Sequence, residues 1–234
     1  MARVLGSVAA QPKWVPLESN PDLWNEYMYH LGVEGGRPAF VDVLSLTEAV
    51  AQLPQPVHAL VVCFPLGARE ASSPVRTVGS DVCYYFCAQT VQNACGTMAL
   101  LHAVLNNCER ASIQLRPSSV LEKLQAHARD FPNATPLERA EFLEGDEALA
   151  AAHDAYAAAG QTTAPAPDTD TDLHFICLIR DRSGRRLLEL DGRKHGPVDH
   201  GETNAETFVE DACRLIQNKF VQRGPYLTVM ALCG

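Results

Sequence analysis

Apolar residues recur along this chain with two distinct periods. After Pro21 and Asp22, the positions Leu23, Trp24, Tyr27, Met28 and Leu31 are spaced three and four apart, which predicts an amphipathic helix ending at Gly32. Pro21 falls near its start, where a missing N–H costs nothing. Residues 39–44 and 57–64 are β-rich apolar runs bounded by Pro and Gly, and they predict strands. The run HALVVCF is apolar on both faces, as a central strand would be. From Thr90 to Asn107 there is no proline, and Ala94, Met98, Leu101 and Leu105 recur at helical spacing among further apolar residues, predicting a largely buried helix. Residues 117–128 and 136–159 predict more helices, the latter rich in the strong helix formers Ala, Glu and Leu. Residues 173–179 and 187–191 flank the polar RDRSGRR and read as a hairpin, followed by a helix over 207–220 and a closing strand over 226–232.

One stretch breaks the pattern. GQTTAPAPDTDT, from Gly160 to Thr171, has no large apolar residue, and such a segment buries too little surface to order itself, so it is expected to be a mobile loop. The roughly 60 residues after it are few for an independent core, which makes it a loop inside one domain rather than a linker between two. At 234 residues and 47% hydrophobic content, the chain is long enough to form that domain.

Charge narrows the partners. With 28 Asp+Glu against 19 Lys+Arg, the net charge is -9, a sign that repels phosphate backbones. No nucleic-acid partner is expected, and a basic protein surface is the better match. Eight cysteines are spread over the whole chain and several lie in apolar runs, which indicates a reducing compartment rather than a disulfide framework. Cys83 and Cys87 have a spacing that opens some metal sites, but no second Cys/His pair follows, so no metal or other cofactor is expected. MARVLGSVAA lacks a signal-peptide layout, and no run reaches about 18 consecutive apolar residues, so the expected location is cytoplasmic with no membrane partner.

Among the cysteines, Cys95 stands where chemistry is easiest. A helix N-terminus offers amide donors and a dipole that favour thiolate. Asn93 is a preferred N-cap residue and would make Cys95 the second helical residue, with Gly96 leaving room beside the sulfur. A base on the same helix would fall at Met98 or Ala99, neither of which can serve. His102 lies roughly 10 Å along the helix, outside hydrogen-bond reach, and reads as structural. His174 interrupts the apolar run LHFICLI and needs a partner there. With Ser183-Gly184 as a two-residue turn, paired residues sum to 367, so Asp191 lies opposite Ile176 and diagonal to His174 on one face. This is the base-and-orienter arrangement of a triad, and a one-residue slip would abolish it. His195 and His200 are rivals as base, in a loop containing Gly and Pro that would hold an imidazole less firmly. Gln89 carries an amide that can join the Cys95 backbone N–H as oxyanion donor. On the residues alone, a buried core cysteine and a core histidine bonded to a nearby acid account for the same pattern, and nothing specifies a substrate.

The segments QTVQNACGT from Gln89, DLHF from Asp172 and ELDGRK from Glu189 resemble the three signature blocks of the ubiquitin C-terminal hydrolases, in the same order. WVPLESNP from Trp14, FVDV from Phe40 and HGET from His200 extend the resemblance over roughly residues 13 to 232. It implies an α/β (α+β) papain-like cysteine protease fold, with a central antiparallel sheet flanked by helices and a knotted backbone. It implies a thiol protease cleaving after the C-terminal glycine of ubiquitin and preferring small or unfolded adducts. Cys95, His174, Asp191 and Gln89 match the family's nucleophile, base, orienter and oxyanion donor. Asn93, Gly160, Gln161 and Thr162 are expected to bind substrate. Residues 13–234 would be the catalytic domain, with 1–12 an extension beyond the family's usual start and about 150–171 the crossover loop over the site. Cys87, Ala88 and Ala99 differ in size from commoner residues, which touches packing more than chemistry. A monomer that binds ubiquitin is expected. The alternatives are a ubiquitin-binding protein with vestigial chemistry and a hydrolase acting mainly on a ubiquitin-like modifier.

Overall fold

The computed structural model describes residues 13–66, 84–161 and 171–234. Asn20 opens the first helix, α1 (Pro21–Leu31): its side-chain oxygen accepts from the amides of Asp22 at 3.0 Å and Leu23 at 3.4 Å. Gly32 closes it at φ 130°, donating its own amide back to the last turn. A side chain there is excluded twice, by that φ and by Ser119, whose side chain occupies the place of a Cβ. After α1 come β1 (Val33–Glu34), β2 (Ala39–Asp42), α2 (Ala49–Gln52), β3 (Val57–Pro65), α3 (Cys95–Leu105), β4 (Gln114–Leu115) and α4 (Val120–Asp130). The chain continues through α5 (Pro136–Glu144), α6 (Glu147–Ala158), β5 (Leu173–Arg180), β6 (Arg186–Leu190), β7 (Val198–Glu202), α7 (Phe208–Lys219) and β8 (Thr228–Cys233).

Six strands form one antiparallel sheet in the order β2-β8-β3-β5-β6-β7, so the closing strand lies between β2 and β3. β3 sits in the middle, buried along nearly its whole length, as its two apolar faces require. Strand alternation feeds two cores. Val61, Cys63, Phe175 and Cys177 join the core built with α1 and α3, while Leu60, Val62, Ile176 and Leu178 join the one built with α2 and α7. Each fully buried Leu or Phe contributes about 1.5–3 kcal/mol relative to exposure. All residues of α3 are buried, which a helix apolar all round demands. Its polar exceptions have partners: Thr97 bonds Tyr27 and His153, and His102 Nε2 accepts the Cys87 amide.

Several expectations need correcting. The helix predicted from Thr90 starts only at Cys95, because Asn93 adopts φ 62° and turns the chain just before it. Its side chain does not cap the helix; Nδ2 donates to the Trp14 carbonyl at 3.0 Å, so Ala94 is the N-cap and Cys95 the first helical residue, not the second. The 136–159 run divides at Gly145, where Asp146 caps a new helix by accepting from Ala148 and Leu149. Residues 150–158, assigned above to a crossover loop, are turns of α6; of the loop predicted over 160–171, residues 162–170 lie outside the described residues. The hairpin pairing sums to 367 as expected, from Cys177 with Leu190 to Arg180 with Leu187. Its turn is longer than two residues, because Asp181 Oδ1 accepts from both Arg185 and Arg186 amides and holds 182–185 as the loop. The loop containing His200 is in fact β7, paired with β6. Among the described residues, no helix is long and apolar enough to cross a membrane.

Candidate active site

Three segments meet at the start of α3. Cys95 is its first residue, 6% exposed, where the amides of the first turn lack intrahelical acceptors and the helix dipole presents its positive end. β5 delivers His174, which is 1% exposed and packs edge-on against the Phe64 ring at 5.8 Å. The end of β6 delivers Asp191, whose Oδ1 lies 2.7 Å from His174 Nε2 and also accepts the Arg193 amide at 3.0 Å. The diagonal contact that the hairpin register predicts is therefore made. With Nε2 committed to Asp191, the buried Nδ1, which closes no hydrogen bond, is the nitrogen left for the Cys95 thiol.

Among the described residues, electrostatics single out one thiol. Burial pushes Cys63, Cys87, Cys108 and Cys233 up to about 12, and Cys213 to about 11. Burial acts on Cys95 in the same direction, but the His174 imidazole, the Phe175 amide and the Arg193 charge outweigh it and hold this thiol below its ordinary value. The imidazole responds in kind: burial alone would lower it, yet Asp191 and Cys95 raise it to about 9. Asp191 is held below the usual carboxylate range, because its bonds to His174 and the Arg193 amide overcome the cost of burial. Each group thus favours the charged form of the other.

Gln89 lies in the segment before α3 and is tied to the turn that follows Asp191. Its amide N–H donates to the Gly192 carbonyl at 2.8 Å, its side-chain Nε2 donates to the Val91 carbonyl at 3.1 Å, and its Oε1 is buried without a partner. His102 stacks on Phe86 at 5.2 Å and accepts the Cys87 amide at 3.2 Å, which fixes the segment leading to Gln89; its structural reading fits that geometry. Of the rival bases, His200 bonds Glu189 Oε2 at 2.8 Å, and His195 is exposed in the turn after Asp191.

The residues expected to bind substrate are placed apart. Asn93 is 8% exposed and committed to Trp14. Gly160 lies against Glu18, and Gln161 lines an open cleft with Glu18, Asp22 and Asp42. Thr162 lies outside the described residues. The room expected beside Gly96 is taken, since a Cβ there would stand 3.1 Å from Leu17 Cβ. Also unforeseen is His153, whose Nδ1 bonds Thr97 at 2.8 Å and whose Nε2 donates to the Val15 carbonyl at 2.8 Å, tying α6 and the 13–18 segment to α3. A lone histidine in the Ala-rich run of α6 was the only trace of it in the sequence. Among the described residues, no group of three or more His, Cys, Asp or Glu side chains is arranged to hold a metal ion.

Residues 14–222 match the family model described as ubiquitin carboxyl-terminal hydrolase, family 1. The chain belongs to that family. A ubiquitin carboxyl-terminal hydrolase from Aplysia californica is 38% identical over 221 residues, covering 93% of this chain and 99% of that protein. Ubiquitin carboxyl-terminal hydrolase isozyme L1 from Homo sapiens is 36% identical over 215 residues, covering 89% and 91%. In structure, the chain is similar to the catalytic domain of UCH37 from Trichinella spiralis bound to ubiquitin vinyl methyl ester, with a TM-score of 0.76, 24% identity and 95% of each chain covered. That comparison bears on the fold alone, which is the family's papain-like α/β fold. As a member of the ubiquitin carboxyl-terminal hydrolases, the protein is a cysteine-type hydrolase.

Proposed function

We propose that this hydrolase cleaves amide, ester or peptide bonds at the C-terminal glycine of ubiquitin, with Cys95 as nucleophile, His174 as base, Asp191 as orienter and Gln89 as oxyanion donor. The observation that carries the reading is the depressed thiol of Cys95 at a helix start, beside an imidazole whose far nitrogen is held by Asp191 at 2.7 Å. The thiolate attacks the glycine carbonyl, and the oxyanion takes hydrogen bonds from the Cys95 amide and from Gln89 Nε2 once that group leaves the Val91 carbonyl. Imidazolium then protonates the leaving amine, and water attacks the thioester with His174 as base. The chain's acidic balance suits the basic tail of ubiquitin.

The finer part of the proposal concerns what is attached to ubiquitin. The family resemblance implies that a hydrolase of this kind handles small or unfolded adducts best. Small or unfolded leaving groups are therefore processed well and folded ones poorly. A monomer working in the cytoplasm, where its buried cysteines stay reduced, completes the reading.

The experiment is treatment with ubiquitin carrying an electrophilic C-terminus, followed by mass spectrometry, alongside turnover of a fluorogenic ubiquitin C-terminal amide. An adduct on Cys95 with turnover supports the proposal. An adduct elsewhere, or binding without turnover, overturns it. Comparison of ubiquitin with a ubiquitin-like modifier, and of a small amide with di-ubiquitin, tests the specificity.

A further inference from the structure

We infer that Glu189 is a positioning residue of the hydrolase: through Lys194 it holds the turn 191–194, which sets both Asp191 and Gln89. The inference deepens the function proposed above and rests on it. Glu189 stands on β6 two residues before Asp191 and is 1% exposed. Its Oε1 takes Lys194 Nζ at 2.5 Å, and its Oε2 takes His200 Nε2 and Lys219 Nζ, each at 2.8 Å. His200 belongs to β7 and Lys219 to the end of α7, so one oxygen is anchored to the sheet and a helix while the other holds the turn.

That turn is where the separate parts of the site meet. Lys194 donates its amide to the Asp191 carbonyl at 2.9 Å and closes the turn. Arg193 donates its amide to Asp191 Oδ1 at 3.0 Å, fixing the carboxylate that bonds His174. Gly192 accepts the Gln89 amide at 2.8 Å, fixing the oxyanion glutamine. The Lys194 side chain, returning to Glu189, ties the far end of the turn to β6. Burial pushes the Glu189 carboxyl up, but its bond to His200 and the Lys219 and Lys194 charges outweigh it and hold it well below the usual carboxylate range, so it is an anion at neutral pH. A buried ion cluster is a weak source of net stability, which directs attention to what this one positions.

Glu189→Gln separates the tether from through-space electrostatics by sign. Removing an anion makes the Cys95 thiolate easier to form on charge alone, which moves the acid limb of Cys95 alkylation by iodoacetamide to lower pH. Losing the tether loosens the grip of Asp191 on His174 and moves the limb to higher pH. The groups interacting with Cys95 are His174 and the Phe175 amide from β5, Arg193 from the turn and Cys63 from β3, and none of them is substituted in the variant. The expected result is a limb shifted to higher pH and a kcat on the fluorogenic ubiquitin amide lowered about tenfold or more, with KM little changed. Lys194, at 22% side-chain exposure, supplies a second variant should Glu189→Gln fail to fold. Lys194→Met keeps a low kcat even at a pH where Cys95 is fully thiolate, which loss of charge alone would not produce, and Lys194→Arg restores it. A Glu189→Gln limb that stays put or moves to lower pH overturns the inference. So does a loss of activity that only follows the folded fraction in thermal unfolding. Failure of the underlying function looks different, because the wild type itself would then neither turn over the ubiquitin amide nor show a low-pH limb at Cys95, and both readings would fall together.

Discussion

Gly192 accepts the Gln89 amide at 2.8 Å with no room for a side chain between them: a Cβ on Gly192 would stand 2.9 Å from Gln89 Cβ and 3.2 Å from its amide nitrogen. The glycine is required by this close approach and not by its backbone angles. Gly192→Ala is expected to push Gln89, the proposed oxyanion donor, out of place. Losing a whole oxyanion donor costs about 10²–10³ in kcat, so a displaced one should cost about tenfold or more. Overpacking should lower stability by about 1–3 kcal/mol. Steady-state kinetics and urea unfolding check both, and a folded Gly192→Ala with wild-type kcat would show that the segment has slack.

Thiol reactivity should be selective. Brief iodoacetamide treatment near neutral pH, read by peptide mass spectrometry, should modify Cys95 before Cys63, Cys87, Cys108, Cys213 or Cys233, whose thiols burial raises to about 11–12. Cys95→Ser should abolish most turnover and leave ubiquitin binding intact, as measured by calorimetry. Turnover close to normal in that variant would remove Cys95 from the mechanism.

Asp191→Asn should lower kcat by orders of magnitude with little change of fold, because the imidazole loses the acceptor at 2.7 Å that holds its tautomer. The imidazole value of about 9 depends on that carboxylate, so the titration of His174 followed by NMR should move down in the variant. If His174→Ala were mild and His195→Ala severe, the base would be the wrong histidine.

Stability should fall between pH 6.5 and 4. His102 and His153 are each lowered by burial from an ordinary value near 6.5 to about 4. In that interval the unfolded chain binds protons that the folded chain does not, so unfolding becomes easier as pH drops, by up to about 3 kcal/mol per histidine. His174, raised to about 9, contributes in full throughout this window, and its share is lost only as pH rises through its folded value. Urea midpoints at pH 7 and 5 measure the effect. His153→Gln should be less stable than wild type at pH 7 but show a smaller drop to pH 5, and an equal drop would mean that His153 already takes up its proton in the folded state.

The pairing of His174 with Asp191 was legible because it is local and periodic: within a hairpin, alternation and a register summing to 367 decide which side chains share a face. The same locality made α1 readable, with Pro21 and Gly32 marking its ends. Cys95 stood out for its place before an apolar helix, and the signature blocks around these residues then indicated the family. What lay beyond the sequence depends on segments that meet only after folding. Asn93 looks like a cap until the Trp14 carbonyl claims its side chain, and Gly96 looks like open space until Leu17 fills it. β7 is short and carries Asp, His and Gly, so only its partner strand makes it a strand. Glu189 is one more acid in an acidic chain until Lys194, His200 and Lys219 converge on it. Local propensity carries the ends of helices and the faces of hairpins, whereas these contacts exist only because packing two cores onto one sheet removes water from polar groups that must then find each other.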